Sequence, residues 1–541
     1  NVVSYNAMIT GYTENGLGEE AIKCFESMRN EGVTPNSVTF ICTLKSCGIL
    51  KDSSKGQEIY AEAESKGLLE RGFLLGTVVV DMYAKCGLLE KAWNVFEKLL
   101  IRDVVSWTAL IAGYVECGRG RQVIEYFEQM LLEGVSPNSI TYASCLKACA
   151  SIGDLEKAIE IHGEIDKKGI RDLLLETTLV DVYCKCGALV KARKVFDKLR
   201  VRDIICWNAL ISGYVEHGYE EKALKCLEQM HAEGISPDAV TFICGLKACT
   251  STRDVDKGQE IHDDIERQGL LGTNLIVGNA LIDMYAKCNS LAKARKVFNE
   301  IPNRDVVSWT SLMSGYVEHG HGEEALDCYE EMQLAGIHPN AVTFVCSLQA
   351  CGSIGATEKG CEIHKEIERY GLIERDPVVG TTLVDMYCKC GVLSKAREVF
   401  ERLPVRDGVS WTALMAGYAQ IGKSEHVFDV YDRMLGEGMK PNLVTFVILL
   451  NACSRACLFN KSRTYFEAMN EEYGIVPTLE HHTCMIHLLG RVGNLDEAQA
   501  LIKEMPFSPD LIVWHSILGA CRQSGNSGMA KEVFKRSLHL N

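Results

Sequence analysis

The chain has 541 residues, 47% of them hydrophobic and 24% charged, which is the balance of an ordinary water-compatible protein. No apolar run approaches the ~20 residues a membrane-crossing helix needs. The 57 basic and 72 acidic residues leave a net charge of −15, which taken alone argues against nucleic acid as a partner, because phosphate binding normally leaves a basic footprint.

In chain order, the pattern is already running at the first residue. Asn1 stands where Asp103 and Asp203 stand just before a "VVSW" type of run. Residues preceding it are therefore expected to be missing, and no leader segment is legible. Tyr5, Trp107, Trp207, Trp309, Trp411 and Trp514 then recur at intervals of 102, 100, 102, 102 and 103 residues. Self-similarity of this kind is read as a repeat array before it is read as separate domains.

Each large unit contains three smaller ones of roughly 31–36 residues. The first type is "VVSWTALIAGY…GVSPN", the second "SITYASCLKAC", the third "LLLETTLVDVYCKCG…RD". Apolar residues recur at three- and four-residue spacing in "VVSWTALIAGYVECG", a glycine ends the run, and the amphipathic "VIEYFEQMLLEG" follows. Three helical hairpins per unit are predicted, with no strand alternation. Two antiparallel helices cannot bury both apolar faces alone, so neighbouring hairpins must stack into an all-α superhelical solenoid with one concave surface.

The 24 cysteines recur with the repeat, as at Cys86, Cys186 and Cys390 or Cys149, Cys249, Cys351 and Cys453, and read as small buried thiols of a reducing compartment. The pairs Cys184/Cys186 and Cys388/Cys390 become Ala84/Cys86 and Ala286/Cys288 in sibling units, with no second ligand pair, so neither a metal nor another cofactor is expected. His-x-Glu occurs at His162–Glu164 and His364–Glu366, but no two cysteines lie three apart as a zinc deaminase requires. The chain itself is not expected to be an enzyme.

These motifs, "SW(T/N)ALI(A/S)GY", "EG(V/I)xP(N/D)" and "LVDMYCKCG…KAR(K/E)VF", resemble the pentatricopeptide repeat family, and their strict order of three types resembles its plant subclass built from P, L and S motifs. The resemblance covers essentially the whole chain and implies a right-handed superhelical solenoid. It divides the chain into P-L-S triplets at 2–103, 104–203, 204–305, 306–407 and 408–510. The stretch from 481 to 510 resembles the S motif that ends such arrays, and 511–541 resembles a truncated E-type motif.

Two places per motif vary within a small alphabet. The fifth residue of P and S motifs is Asn or Thr: Asn6, Thr77, Thr108, Thr177, Asn208, Asn279, Thr310, Thr381, Thr412 and Thr483. The last residue is Asn or Asp: Asn36, Asp103, Asn138, Asp203, Asp238, Asp305, Asn340, Asp407, Asn442 and Asp510. An ionised Asp only accepts hydrogen bonds and suits the imino N–H of uracil or guanine, whereas Asn also donates and suits the ring nitrogen of adenine or cytosine. The family's code agrees: Thr with Asp implies G, Thr with Asn A, Asn with Asp U, and Asn with Asn a pyrimidine. The plainer alternative is that Thr and Asn near a helix start are caps.

The resemblance also implies that Val3, Val105, Ile205, Val307 and Val409, at the second position of the P motifs, clamp each base between repeats. At about 100° per residue, positions nine and thirteen fall within roughly 20° of position two. Position thirteen of the S motifs is Lys85, Lys185, Lys287, Lys389 and Arg491, and position nine of the first three L motifs is Lys45, Lys147 and Lys247. A basic stripe for phosphates is expected inside an acidic protein, although P motifs carry Glu14, Glu116, Glu216 and Glu318 at position thirteen.

The expected partner is single-stranded RNA of sequence 5′-YNGANGUNUANGANG-3′, one motif per nucleotide. The L motifs stay unassigned because their fifth residues are Ile41, Ala143, Ile243, Val345 and Val447. By resemblance the whole protein would be a mitochondrial or chloroplast C-to-U RNA editing factor of a plant, carrying or recruiting a deaminase through its E-type region. The alternative is a protein-interaction scaffold like the tetratricopeptide solenoids.

Overall fold

The computed structural model describes residues 1–68, 73–507, 509, 511–524 and 530–531. Among these, every regular element is an α-helix, and none is long and apolar enough to cross a membrane. The chain forms two compact units, Asn1–Ile261 and His262–Asn541.

Within each unit the predicted hairpins are present. In the first, Val2–Glu14 pairs with Gly18–Asn30, Ser37–Leu50 with Ser53–Ser65, Phe73–Lys85 with Leu89–Glu97, and Val104–Glu116 with Gly120–Leu132. In the second, Leu275–Lys287 pairs with Leu291–Glu300 and Val306–Glu318 with Gly322–Leu334, and the series runs on to Leu511–Ser524. Within each unit, each first helix packs on the first helix of the next hairpin, and the second helices pack across them as a second layer. Most first helices end where a glycine enters the left-handed region, as at Gly118 with φ 69°, which the chain needs to turn back; Lys51, Arg253, Asn289 and Cys457 take that conformation in four others.

The sequence "RDVVSW" and its copies hold the hairpins together. Trp107, Trp207, Trp309 and Trp411 are buried and meet Phe96, Phe196, Phe298 and Phe400 edge-to-face at centroid distances of 4.5, 4.6, 4.5 and 4.7 Å. Such a contact adds about 0.5–1.5 kcal/mol beyond burial. The arginine of each "RD" covers the same Phe ring, with Arg102, Arg202, Arg304 and Arg406 at 5.4, 5.1, 4.8 and 5.3 Å from the centroid. Three of them also reach the glutamate of the next "EG": Arg102 to Glu133, Arg202 to Glu233 and Arg406 to Glu437. The fourth has Ala335 in that register, and Arg304 keeps the backbone contact the siblings share, donating to the carbonyls of Phe298 and Asn299.

The cysteine pattern follows from close helix approach. A Cβ on Gly113, Gly213, Gly315 or Gly417 would lie 2.2–2.6 Å from the Cβ of Ala84, Cys184, Ala286 or Cys388. Only a small residue fits beneath these glycines, and Ala and Cys alternate there. Burial pushes the Cys149 and Cys184 thiols up to about 12, so they remain protonated packing groups at neutral pH.

Candidate nucleic-acid interface

The last residue of each coded motif is the N-cap of the next motif's first helix. Its side-chain oxygen accepts the backbone N–H three residues on: Asn36 from Thr39 (3.1 Å), Asp103 from Ser106 (2.9 Å), Asn138 from Thr141 (2.9 Å), Asp203 from Cys206 (2.9 Å) and Asp238 from Thr241 (2.9 Å). Asp305, Asn340, Asp407 and Asn442 do the same with Ser308, Thr343, Ser410 and Thr445 at 2.8–2.9 Å. Asp510 lies outside the described residues. Capping therefore belongs to the last residue and not to the fifth. It accounts for the Asn/Asp alphabet, and leaves open why one motif has Asn and another Asp.

Where the fifth residue is Asn, it is tied to that cap. Asn6 Nδ2 donates to Asn36 Oδ1 at 3.0 Å, Asn208 Nδ2 to Asp238 Oδ1 and Oδ2 at 3.0 and 3.2 Å, and Asn279 Nδ2 to Asp305 Oδ1 at 3.1 Å. The hydroxyls of Thr39, Thr241 and Ser308 donate to the other end of the same amides at 2.6, 2.5 and 2.6 Å. These bonds fix which way each amide points.

Where the fifth residue is Thr, its hydroxyl turns back into its own helix. Thr108 donates to Val104 O at 2.6 Å, Thr177 to Leu173 O at 2.8 Å, Thr310 to Val306 O at 2.9 Å, Thr412 to Gly408 O at 2.8 Å and Thr483 to Leu479 O at 2.8 Å. Thr77 and Thr381 occupy the same place on Phe73–Lys85 and Pro377–Lys389. A Thr with its proton so engaged offers only an acceptor, and it is shorter than Asn; the two residue types differ in both polarity and reach.

Around Asp203 and Asn208 lies an open groove of about 600 Å³ whose lining includes Leu174, Thr177, Ile205, Val240 and Lys147. The second, fifth and last positions of consecutive motifs thus converge on one surface. Val3, Val105, Ile205, Val307 and Val409 are 47–71% exposed. So are the residues at position two of other motifs, which periodicity alone does not single out: Leu74, Leu174, Ile276 and Val378 in S motifs, and Val38, Ile140, Val240, Val342 and Val444 in L motifs. The recurrence of an aliphatic residue at the same place in motif after motif was the available signal.

The basic stripe is partly neutralised. Lys85, Lys185, Lys287 and Lys389 each pair with the aspartate one turn earlier, Asp81, Asp181, Asp283 and Asp385, at 2.8–2.9 Å. Arg491 donates to Ser454 O at 3.1 Å. Exposed pairs of this kind are worth about 0–1 kcal/mol and exchange readily for a stronger anion. Lys45, Lys147 and Lys247 are exposed and have no ion pair among the described residues. Burial pushes the Asp238 and Asp305 carboxyls up, but the hydrogen bonds they accept outweigh it and hold both below the ordinary carboxylate value.

The His-x-Glu positions face tyrosines. His162 and His364 Nδ1 lie 2.8 and 2.9 Å from the hydroxyls of Tyr183 and Tyr387, while Glu164 and Glu366 accept from Tyr142 and Tyr329.

A model described as "PPR repeat family" matches residues 1–48, 102–151, 202–251, 304–353 and 406–455, and one described as "PPR repeat" matches 77–104, 140–170, 177–204, 279–306, 381–407 and 480–508. A chloroplastic pentatricopeptide repeat-containing protein of Arabidopsis thaliana is 34% identical over 524 residues, which are 96% of this chain and 60% of the relative. Two mitochondrial ones from the same plant are 33% and 32% identical, covering 100% and 99% of this chain and 70% and 78% of their own lengths. The chain thus spans between 60% and 78% of these relatives. Among solved structures, the maize pentatricopeptide repeat protein PPR10 superposes with a TM-score of 0.64 at 18% identity, over 99% of this chain and 88% of that one. PPR10 in complex with an 18-nt psaJ RNA element gives 0.63 at 20% identity, over 100% and 80%.

Proposed function

The chain belongs to the PPR repeat family, and on that premise we propose that it is a sequence-specific single-stranded RNA-binding array reading one nucleotide per motif. The observation that carries this is the bonding of fifth to last residue at the three junctions where the fifth is Asn, with exposed aliphatic side chains beside Asn208 in one groove. Maize PPR10 has been captured with an RNA element. Aliphatic side chains on either side of a base supply sequence-independent contact, while the fifth and last residues meet its edge.

Asn at position five keeps its second amide N–H for a base carbonyl and, being longer, favours a pyrimidine. Thr offers an acceptor and more room, which suits a purine. The free edge of the cap then selects within each class, since Asp accepts an imino N–H and Asn also donates. The proposed target is 5′-YNGANGUNUANGANG-3′. The P-L-S triplets, the E-type motif at 511–541 and a role as site-recognition factor for C-to-U editing in a plant organelle, with a deaminase carried or recruited, form the finer part of the same reading. A peptide-binding scaffold gives no reason for restricting two polar positions per motif to Asn, Thr and Asp.

The test is recoding. Asn208→Thr keeps Asp238 and converts an Asn/Asp pair into Thr/Asp, so preference at the seventh nucleotide should move from U to G. Each mismatch in a specific site typically costs about 1–3 kcal/mol. Unchanged preference at that nucleotide would refute the reading.

A further inference from the structure

His262, Glu266 and Glu300 bring three ligand atoms within 4.8 Å of one another. His262 is 5% exposed, and its Nε2 has no hydrogen-bond partner. That nitrogen lies 3.4 Å from Glu266 Oε1, while Nδ1 is held 3.0 Å from the Tyr285 hydroxyl. With the Nδ1 proton donated to the tyrosine oxygen, the Nε2 lone pair faces the carboxylates, the arrangement in which a second-shell partner fixes a metal-binding imidazole.

The sibling hairpins supply the comparison. The same places hold His162, Asp166 and Lys198, and His364, Glu368 and Arg402. Five residues before Asp103, Asp203 and Asp407 the chain has Lys98, Lys198 and Arg402, but five before Asp305 it has Glu300. In the fourth copy Arg402 lies 2.6 Å from Glu368 and neutralises it. The third copy alone substitutes a second carboxylate, with Lys296 only loosely associated at 3.7 Å. His364 Nε2 is orphaned in the same way, so the buried imidazole is common to siblings and the reversed charge at Glu300 is what sets this copy apart.

We propose that His262, Glu266 and Glu300 bind a zinc-type divalent cation, with water completing the shell. One imidazole and two carboxylates with an open position are a chemically ordinary donor set for zinc. Metal–ligand distances near 2.1 Å put ligand atoms about 3.4 Å apart in a tetrahedron. Both glutamates are exposed and can swing in, while the histidine stays anchored by Tyr285. The ion would tie the helix Val255–Arg267 to Leu291–Glu300 at a point where the siblings use an ion pair or leave a lysine.

The experiment counts zinc on the purified chain by native mass spectrometry, with the cysteines kept reduced, and follows the thermal midpoint as zinc chloride is added. Wild type should hold one ion more than Glu300→Lys, which restores the sibling residue, and should gain roughly a few degrees that the variant does not. Equal counts and equal shifts overturn the proposal. Arg402→Glu should add one ion, and it decides the matter if Glu300→Lys loses helicity by circular dichroism: an unchanged count there would likewise overturn the site.

Discussion

Asn208 Nδ2 donates to both carboxylate oxygens of Asp238, at 3.0 and 3.2 Å, although thirty residues of chain separate them. The same Asp238 caps the helix Ala239–Thr252 through Thr241 N. One side chain therefore does two jobs, holding the helix start and anchoring the Asn208 amide that lines the groove, and the two are separable by mutation.

Asp238→Asn keeps the cap acceptor and should leave the thermal midpoint nearly unchanged, while relaxing the seventh nucleotide from U to either pyrimidine. Asp238→Ala removes the cap and should destabilise by about 1 kcal/mol. Thermal melts and RNA competition on both variants separate the roles; equal destabilisation by the two would contradict the assignment.

Ile205 is 62% exposed and Val240 51%. Serine at either place should leave the melt within about 0.5 kcal/mol, yet weaken RNA several-fold whatever the base between them. Weakening for one base only would transfer these residues from clamping to reading.

Removing the aspartates that neutralise the lysines should help the RNA. Asp181→Asn frees Lys185 from its 2.9 Å pair, so affinity should rise and the dependence of log K on log salt should steepen by up to about 1 unit. A salt titration of binding checks this, and an unchanged slope would mean that Lys185 does not meet phosphate.

Burial holds the imidazoles of His162, His364 and His481 below their usual value. With folded values below the unfolded one of about 6.5, their stabilisation is complete above that pH. It is lost as pH falls through the folded values, because the unfolded chain takes up protons first. The thermal midpoint should therefore drop between pH 7.5 and pH 5, and His364→Gln should flatten the drop. The carboxyls of Asp238 and Asp305 have depressed values, so their stabilisation persists above about 3.9 and disappears only as pH falls through the folded values. Base preference at the positions they serve should be constant from pH 5.5 to 8.

The hairpins were legible because Trp107 and its copies recur with the apolar spacing of a packed helix, and because glycines such as Gly118 close most runs. The fifth and last positions were legible as variable places in a constant frame. What periodicity could not reveal was the cap geometry of Asn36 or Asp238, since capping depends on where the next helix begins to the residue. Nor did it reveal the Lys185–Asp181 pairing, because a charge pattern does not say which neighbour a lysine chooses. The aliphatic row continues through Val38 and Leu74, whose exposure looks like ordinary core hydrophobicity until the packing shows which face is covered.

The most direct measurement is fluorescence anisotropy of this chain with labelled RNA carrying 5′-YNGANGUNUANGANG-3′, against the same RNA with A and G exchanged at the coded purines. At about 1 kcal/mol per mismatch, several exchanges should weaken binding by orders of magnitude. Equal affinity for the two RNAs would contradict base selection by the coupled fifth and last residues.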